Sequence, residues 1–219
     1  WKYENRPVTK YTKWALSRIL SKDYVHSVRD SYTQQRLSEI GIKSINTGCP
    51  TLWKITPDEI EILNSKKKQK NVVIAITDYD RDVCRDKALI NICSKCYDKV
   101  FLFVQGIGDF NYLKSISTNV DLEVIYPQIS KYNDVLRHGE CDYVGTRLHA
   151  GIRALQMGVR SFIIAIDNRS IEMGKDFGLP IIAEDKILEL NDIINSNYNL
   201  SLNIPYNNIN EWKSQFIRR

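Results

Sequence analysis

No stretch of this chain approaches the roughly 20 consecutive apolar residues that a membrane-spanning helix requires, and nothing at its start reads as a signal peptide. The chain also lacks any internal repeat or low-complexity tract, which sets aside solenoids and arrays. It contains neither a serine in GxSxG, nor HExxH, nor a Walker phosphate loop, so serine hydrolase, zincin and P-loop NTPase readings fail. Five cysteines, Cys49, Cys84, Cys93, Cys96 and Cys141, are an odd number without a framework spacing, which points to reduced thiols in a cytosolic compartment. Cys93 and Cys96 form a lone CxxC with no second pair or nearby histidine. On a helix they share a face and are expected to be packed thiols, and no metal site is expected. The first residue is Trp1, not methionine, and the opening stretch reads as the interior of a longer chain.

What is present is ordinary in proportion: 219 residues, 43% hydrophobic and 26% charged, enough apolar material to bury a core of one α/β domain or slightly more. The net charge of +5 is mild and its residues are scattered, except for Lys66-Lys67-Lys68 with Lys70. Such a run is normally a solvated loop, and nucleic acid is not expected as a partner.

Periodicity gives a first helix over residues 8–20, a short strand over 24–29 and then a helix capped by Ser31 and stopped by Gly41. A short strand is expected at 45–47. Thr56-Pro57-Asp58-Glu59 carries both a capping box and a first-turn proline, and so predicts another helix start. Beyond the lysines, apolar β-rich runs at 71–76, 99–104, 122–126, 143–145 and 161–166 alternate with helix-period segments at 82–96, 109–116, 129–137 and 148–157. That alternation predicts a Rossmann-like α/β fold, a parallel sheet with helices on both faces. The expected organisation is a small incomplete leading segment over 1–65, the Rossmann-like domain over 66–206, and a final helix over 207–219 packing back on the leading part.

In such sheets ligands bind beyond the carboxyl ends of the strands. One strand runs directly into Gly145-Thr146-Arg147-Leu148-His149. Thr146 is placed to cap the next helix, Gly145 to let a ligand approach the backbone, and Arg147 to clamp an anion held at the helix N-terminus. An arginine in a first turn opposes the helix dipole, which argues for a purpose other than helix stability. His149 is the candidate acid/base. Arg29 and Arg169 follow other strands; the competing readings are an Arg29–Asp30 pair that orders the turn and a surface role for Arg169. Gln105-Gly106-Ile107-Gly108-Asp109 lacks the third glycine of a dinucleotide fingerprint and reads first as a tight turn. His26 lies within a short strand, and His138, at a helix end, is taken as structural.

The block CDYVGTRLHAGIRALQMGVRSFIIAID resembles the polysaccharide pyruvyl transferase family, whose hallmark is a strand followed by an RLH helix start. HSVRDSYTQQRLSEIGI, GCPTLW and FVQGIGD resemble three further parts of that family, in the right order. The resemblance implies the carboxyl-terminal half of a GT-B-like enzyme, most of whose amino-terminal domain has no counterpart here. It implies transfer of a pyruvyl group from phosphoenolpyruvate to a saccharide in cell-surface polysaccharide or exopolysaccharide synthesis, with no cofactor. Arg147 and Arg29 would then hold the donor's anionic groups, and His149 would be the acid/base. Gly145, Thr146, Arg169 and Gln105 complete the expected substrate-binding set. Where members often carry an aspartate and a lysine after the next strand, this chain has Asp167-Asn168-Arg169. The location implied is cytoplasmic, with room for peripheral attachment to the membrane's inner face and for a lipid-linked acceptor. Two alternatives stay open: a GT-B nucleotide-sugar glycosyltransferase, and a non-catalytic anion- or sugar-binding domain.

Overall fold

A computed structural model describes residues 7–116 and 119–217. In chain order the elements are α1 (Lys10–Ile19), β1 (His26–Val28), α2 (Ser31–Ser38), β2 (Ser44–Asn46), α3 (Pro57–Ser65), β3 (Asn71–Ala75), α4 (Val83–Cys96), β4 (Lys99–Phe103) and α5 (Ile107–Ser115). They continue with β5 (Leu122–Ile125), α6 (Ile129–His138), β6 (Cys141–Gly145), α7 (Leu148–Gln156), β7 (Ser161–Ala165), α8 (Asn168–Phe177), β8 (Ile181–Ala183), α9 (Leu190–Asn195) and α10 (Tyr206–Ser214). Among the described residues no helix is long and apolar enough to cross a membrane.

The described residues form two compact units, one drawn from the ranges 1–54, 167–179 and 201–219, the other from 55–166 and 180–200. The larger unit holds a six-stranded, wholly parallel sheet in the order β5-β4-β3-β6-β7-β8. The strands bury both faces, so each reads as a near-continuous apolar run. On one face Val72, Ile74, Val100, Leu102, Val144 and Ile164 pack with Leu89 and Cys93 of α4, Leu113 of α5 and Leu190 of α9. On the other, Phe103 stacks on Tyr132 of α6 with ring centroids 4.1 Å apart. There α7 approaches β7 so closely that a Cβ on Gly151 would lie 2.5 Å from the Ile163 side chain. The expected Rossmann-like sheet is therefore present, and the strand order reverses between β3 and β6.

The capping box at Thr56 forms as the sequence predicts, with the Glu59 amide donating to Thr56 Oγ1 at 3.3 Å and the Thr56 amide to Glu59 Oε2 at 2.7 Å. Three elements went unpredicted. Strand β8 is only three residues long, α9 six, and α8 has its start signal in Asp167.

The smaller unit carries the two-stranded parallel sheet β1-β2. Ser31 does not cap α2. Asp30 does, accepting from the Thr33 amide at 2.7 Å, while the Ser31 amide and hydroxyl both donate to Asp176. The carboxylate wins because it satisfies an orphan first-turn donor with a full negative charge at the positive end of the helix. Helix α10 packs on the leading segment: Trp212 Nε1 donates to the Val25 carbonyl at 2.9 Å, and Asn208 Nδ2 to that of Asn46 at 2.9 Å. Of the expected final helix, residues 218–219 lie outside the described residues.

Candidate active site

Strands β3 and β6 lie side by side, so the turns at their carboxyl ends meet where the strand order reverses, the position at which open α/β sheets bind ligands. Thr146 is buried there, and its hydroxyl accepts the Thr77 amide at 3.1 Å, joining the two turns. It is thus committed to β3 and is not the cap of α7. The cap position falls to Arg147, and no side chain caps the helix. Gly145 is likewise explained within the fold. A Cβ there would lie 2.4 Å from the Ala75 carbonyl oxygen and 2.8 Å from the Tyr143 hydroxyl, so the close approach it permits is that of β3. The buried Tyr143 hydroxyl donates to the Arg147 carbonyl at 2.8 Å and fixes where α7 begins.

Arg147 has neighbours that spacing alone did not reveal. Its Nη2 donates to Asp109 Oδ1, a short ion pair, and lies 3.5 Å from Asp78 Oδ1. Its guanidinium carbon sits 5.2 Å from the centroid of the Tyr79 ring. Asp109 is buried and accepts two further hydrogen bonds, from the Asp78 amide at 3.0 Å and the Gln105 amide at 3.2 Å. One carboxylate therefore ties together the turns after β3, β4 and β6. Arg147 Nε is buried without a hydrogen-bond partner among the described residues, and unmet N–H donors of this kind cost about 1–3 kcal/mol. The arrangement places an arginine, paired with two carboxylates, at the uncapped start of α7, where the helix's exposed amides favour negative charge.

The Gly106–Gly108 turn has a related explanation. A Cβ on Gly108 would fall 2.0 Å from Asp78 Oδ2, so the first turn of α5 receives the protein's own carboxylate where a dinucleotide fold would place a phosphate. Asp78 and Asp109 are the site residues that sequence reasoning missed. Asp109 closes the quoted FVQGIGD block, and an aspartate ending a turn after a strand, with an arginine at another strand's end to pair with, was the signal that could have found it.

His149 is exposed on the first turn of α7. With Gln105, Ile129, Tyr132 and Arg153 it lines an open cavity of about 300 Å³. Burial pushes the Tyr132 hydroxyl well above its ordinary pKa, so this group stays a neutral donor, to the Ala150 carbonyl at 2.8 Å, and helps seat α7. The structure thus gathers Gly145, Thr146, Arg147, His149 and Gln105 at the carboxyl ends of β4 and β6. Arg29 and Arg169 belong to the other unit. Arg29 Nε pairs with Asp30 at 3.3 Å, and Arg169 Nε with Asp167, the cap of α8, at 2.9 Å. Among the described residues no group of three or more histidine, cysteine or acidic side chains is arranged to hold a metal ion.

Residues 5–168 match the family described as polysaccharide pyruvyl transferase. No curated protein matches the chain significantly. Among solved structures the chain is similar to the UDP-GlcNAc 2-epimerase of Methanocaldococcus jannaschii in complex with UDP-GlcNAc and UDP, with a TM-score of 0.55 and 10% identity. The match covers 89% of this chain and 61% of the epimerase chain, so this chain spans about three fifths of that protein's length. At that identity the likeness speaks to fold alone, a GT-B-like α/β architecture.

Proposed function

The chain belongs to the polysaccharide pyruvyl transferase family, and from that premise we propose that it takes part in transferring a pyruvyl group from phosphoenolpyruvate to two hydroxyls of a saccharide as a ketal. The observation that carries this reading is the pairing of His149, on an open cavity, with Arg147 at the uncapped start of the same helix. Phosphoenolpyruvate carries a phosphate and a carboxylate. An anionic group of the donor pairs with the Arg147 guanidinium in place of Asp78, the longer and more exposed of the arginine's two carboxylate partners, while Asp109 keeps the guanidinium oriented.

In the reaction His149 delivers a proton to the methylene carbon, turning it into a methyl group as the first sugar hydroxyl attacks the adjacent carbon. The second hydroxyl then forms its bond to that carbon, and the bond to the phosphate oxygen breaks with its electron pair. Phosphate leaves, and the protons released by the two hydroxyls go to His149 and the departing phosphate. Gln105 lines the same cavity and is suited to bind the sugar. The family resemblance assigns Arg29 to the donor's anionic groups, and Arg169 stands where members often carry a lysine; each is ion-paired with a neighbouring aspartate.

A protein containing this chain together with any segments it needs should release phosphate from phosphoenolpyruvate only when a saccharide acceptor is added. His149→Ala should lower turnover by roughly 10²–10⁴-fold, the usual contribution of a positioned acid/base, with an unchanged far-ultraviolet spectrum. Unchanged turnover removes the histidine from the chemistry. The fold likeness to a UDP-GlcNAc 2-epimerase favours a second reading, sugar-nucleotide-dependent glycosyl transfer. Calorimetric titration with UDP-GlcNAc and with phosphoenolpyruvate separates the two, since each reading requires heat from a different ligand.

A further inference from the structure

The lysine run that looks like a solvated loop in the sequence forms one wall of a cavity of about 350 Å³ in the larger unit. Lys66, Lys67, Lys68 and Arg160 line it together with Asn195 and Tyr198, and none of its lining residues is acidic. It lies at the amino ends of the strands, because Arg160 immediately precedes β7 and Lys68 comes three residues before β3. The strands are parallel and β3, β6 and β7 are five residues long, so the candidate active site is roughly 16 Å away at their other ends.

Two of the cations are held in place. Lys68 Nζ donates to Asn195 Oδ1 at 2.9 Å and sits 5.1 Å from the centroid of the Tyr97 ring. Arg160 has 2% relative exposure, and its guanidinium lies 5.3 Å from the ring centroids of both Phe162 and Tyr198. Its Nη2 donates to the Ile194 carbonyl at 2.9 Å, while its Nε has no hydrogen-bond partner among the described residues and is ion-paired with Asp142 Oδ2 at 3.8 Å. Arg160 keeps Asp142 as a counter-ion at 3.8 Å, but the three lysines beside it share one concavity that no acidic residue lines, and they repel one another. An anion in the cavity relieves that repulsion.

We propose that this cavity is a second ligand site, which binds a phosphate-bearing molecule. Lysines suit phosphate as point charges, the asparagine amides add neutral donors, and the volume falls in the range of small-molecule pockets. The phosphate comes either from a free metabolite or from the headgroup of an anionic lipid.

Pyrophosphate titrated into the 219-residue chain should give saturable heat that weakens as salt is raised. It should also slow amide hydrogen exchange over residues 64–68 and 194–198, whether or not 145–150 are protected as well. The triple variant Lys66→Ala, Lys67→Ala, Lys68→Ala removes side chains outside the core, so its far-ultraviolet spectrum should match the wild type while its affinity drops at least tenfold. In a second arm, co-sedimentation with phosphatidylcholine vesicles with and without phosphatidylglycerol tests the headgroup source. Binding only to the phosphatidylglycerol vesicles, lost in the triple variant, supports the site with lipid phosphate as its ligand. The proposal is overturned if neither probe binds, if the triple variant binds as the wild type does, or if protection falls only on 145–150. The last result would still be compatible with an anion at α7, so the two sites fail independently.

Discussion

Asp109 and Asp142 are both buried carboxylates, yet their surroundings treat them differently. Asp109 accepts two backbone amides and the Arg147 guanidinium, a set of donors that fully uses its charge. Asp142 accepts the Tyr97 hydroxyl at 2.9 Å and the Gln69 amide at 3.4 Å through Oδ2, while its Oδ1 has no partner among the described residues. Burial therefore raises the Asp142 pKa, against the pull of Arg160 and the hydrogen bond from Tyr97. A raised folded-state pKa means that the native protein holds this proton more tightly than the unfolded chain does. The group's contribution to stability is full below the ordinary carboxylate pKa of about 3.9 and is lost as pH rises through the raised value. Relative to Asp142→Asn, which cannot titrate, the wild type should lose stability across that interval and run parallel to the variant below it. Urea unfolding of both proteins at a series of pH values checks this, and a difference that grows in favour of the wild type with rising pH contradicts it.

Helix α7 shows how an element is positioned by its neighbours more than by its own ends. It has no side-chain cap, and it carries a glycine, Gly151, at its centre, which by propensity costs about 1 kcal/mol against alanine. The glycine lets the helix lie directly on Ile163 and Tyr143, and the latter's hydroxyl anchors the Arg147 carbonyl. The approach of strand β6 to β3 imposes a similar demand on Gly145. Gly145→Ala should destabilise the fold by about 1–3 kcal/mol or more, because the added methyl meets the Ala75 backbone and not a side chain able to turn away. It should also lower donor affinity by shifting Thr146 and Arg147. A denaturation midpoint equal to the wild type's would show that the two strands have room to part. The helix starts legible in the sequence were those with a local chemical signal, such as the Thr56 box. The role of Thr146 was misread because its partner, the Thr77 amide, is 69 residues distant in the chain.

Over the whole molecule the cysteines give an independent check of the burial pattern. Cys84 is exposed, Cys49 and Cys96 are half-buried, and Cys93 and Cys141 are buried, and none of them is in a disulfide among the described residues. Burial pushes the Cys141 thiol up to about 12 and that of Cys93 higher still, so neither supplies thiolate near neutral pH. A disulfide-exchange reagent at neutral pH should label Cys84 first and reach Cys93 and Cys141 only on unfolding, as peptide mass mapping would report. Rapid labelling of Cys141 in the native protein would contradict its place in the sheet. The division of the chain is also a property of the whole molecule. Residues 167–179 and 201–219 join the leading segment, whereas sequence reading keeps 167–206 with the sheet domain. The crossings carry only the ordinary punctuation of a helix, the Asp167 cap and the Gly178 stop of α8, which does not say that the chain is changing units.

The sequence by itself determined most of the strands and helices and the order of the α/β alternation, because apolar periodicity and capping chemistry act over a few residues. It also singled out the turn carrying Arg147 and His149, since a cation in a helix's first turn calls for a reason. The tertiary structure alone decided that Asp109 supplies part of that reason, that Thr146 and Gly145 serve the neighbouring strand, and that the lysine run walls a cavity with Arg160. Each of these depends on groups far apart in the chain meeting at one end of a parallel sheet, and partners that only the crossovers bring together leave no periodic trace in the sequence.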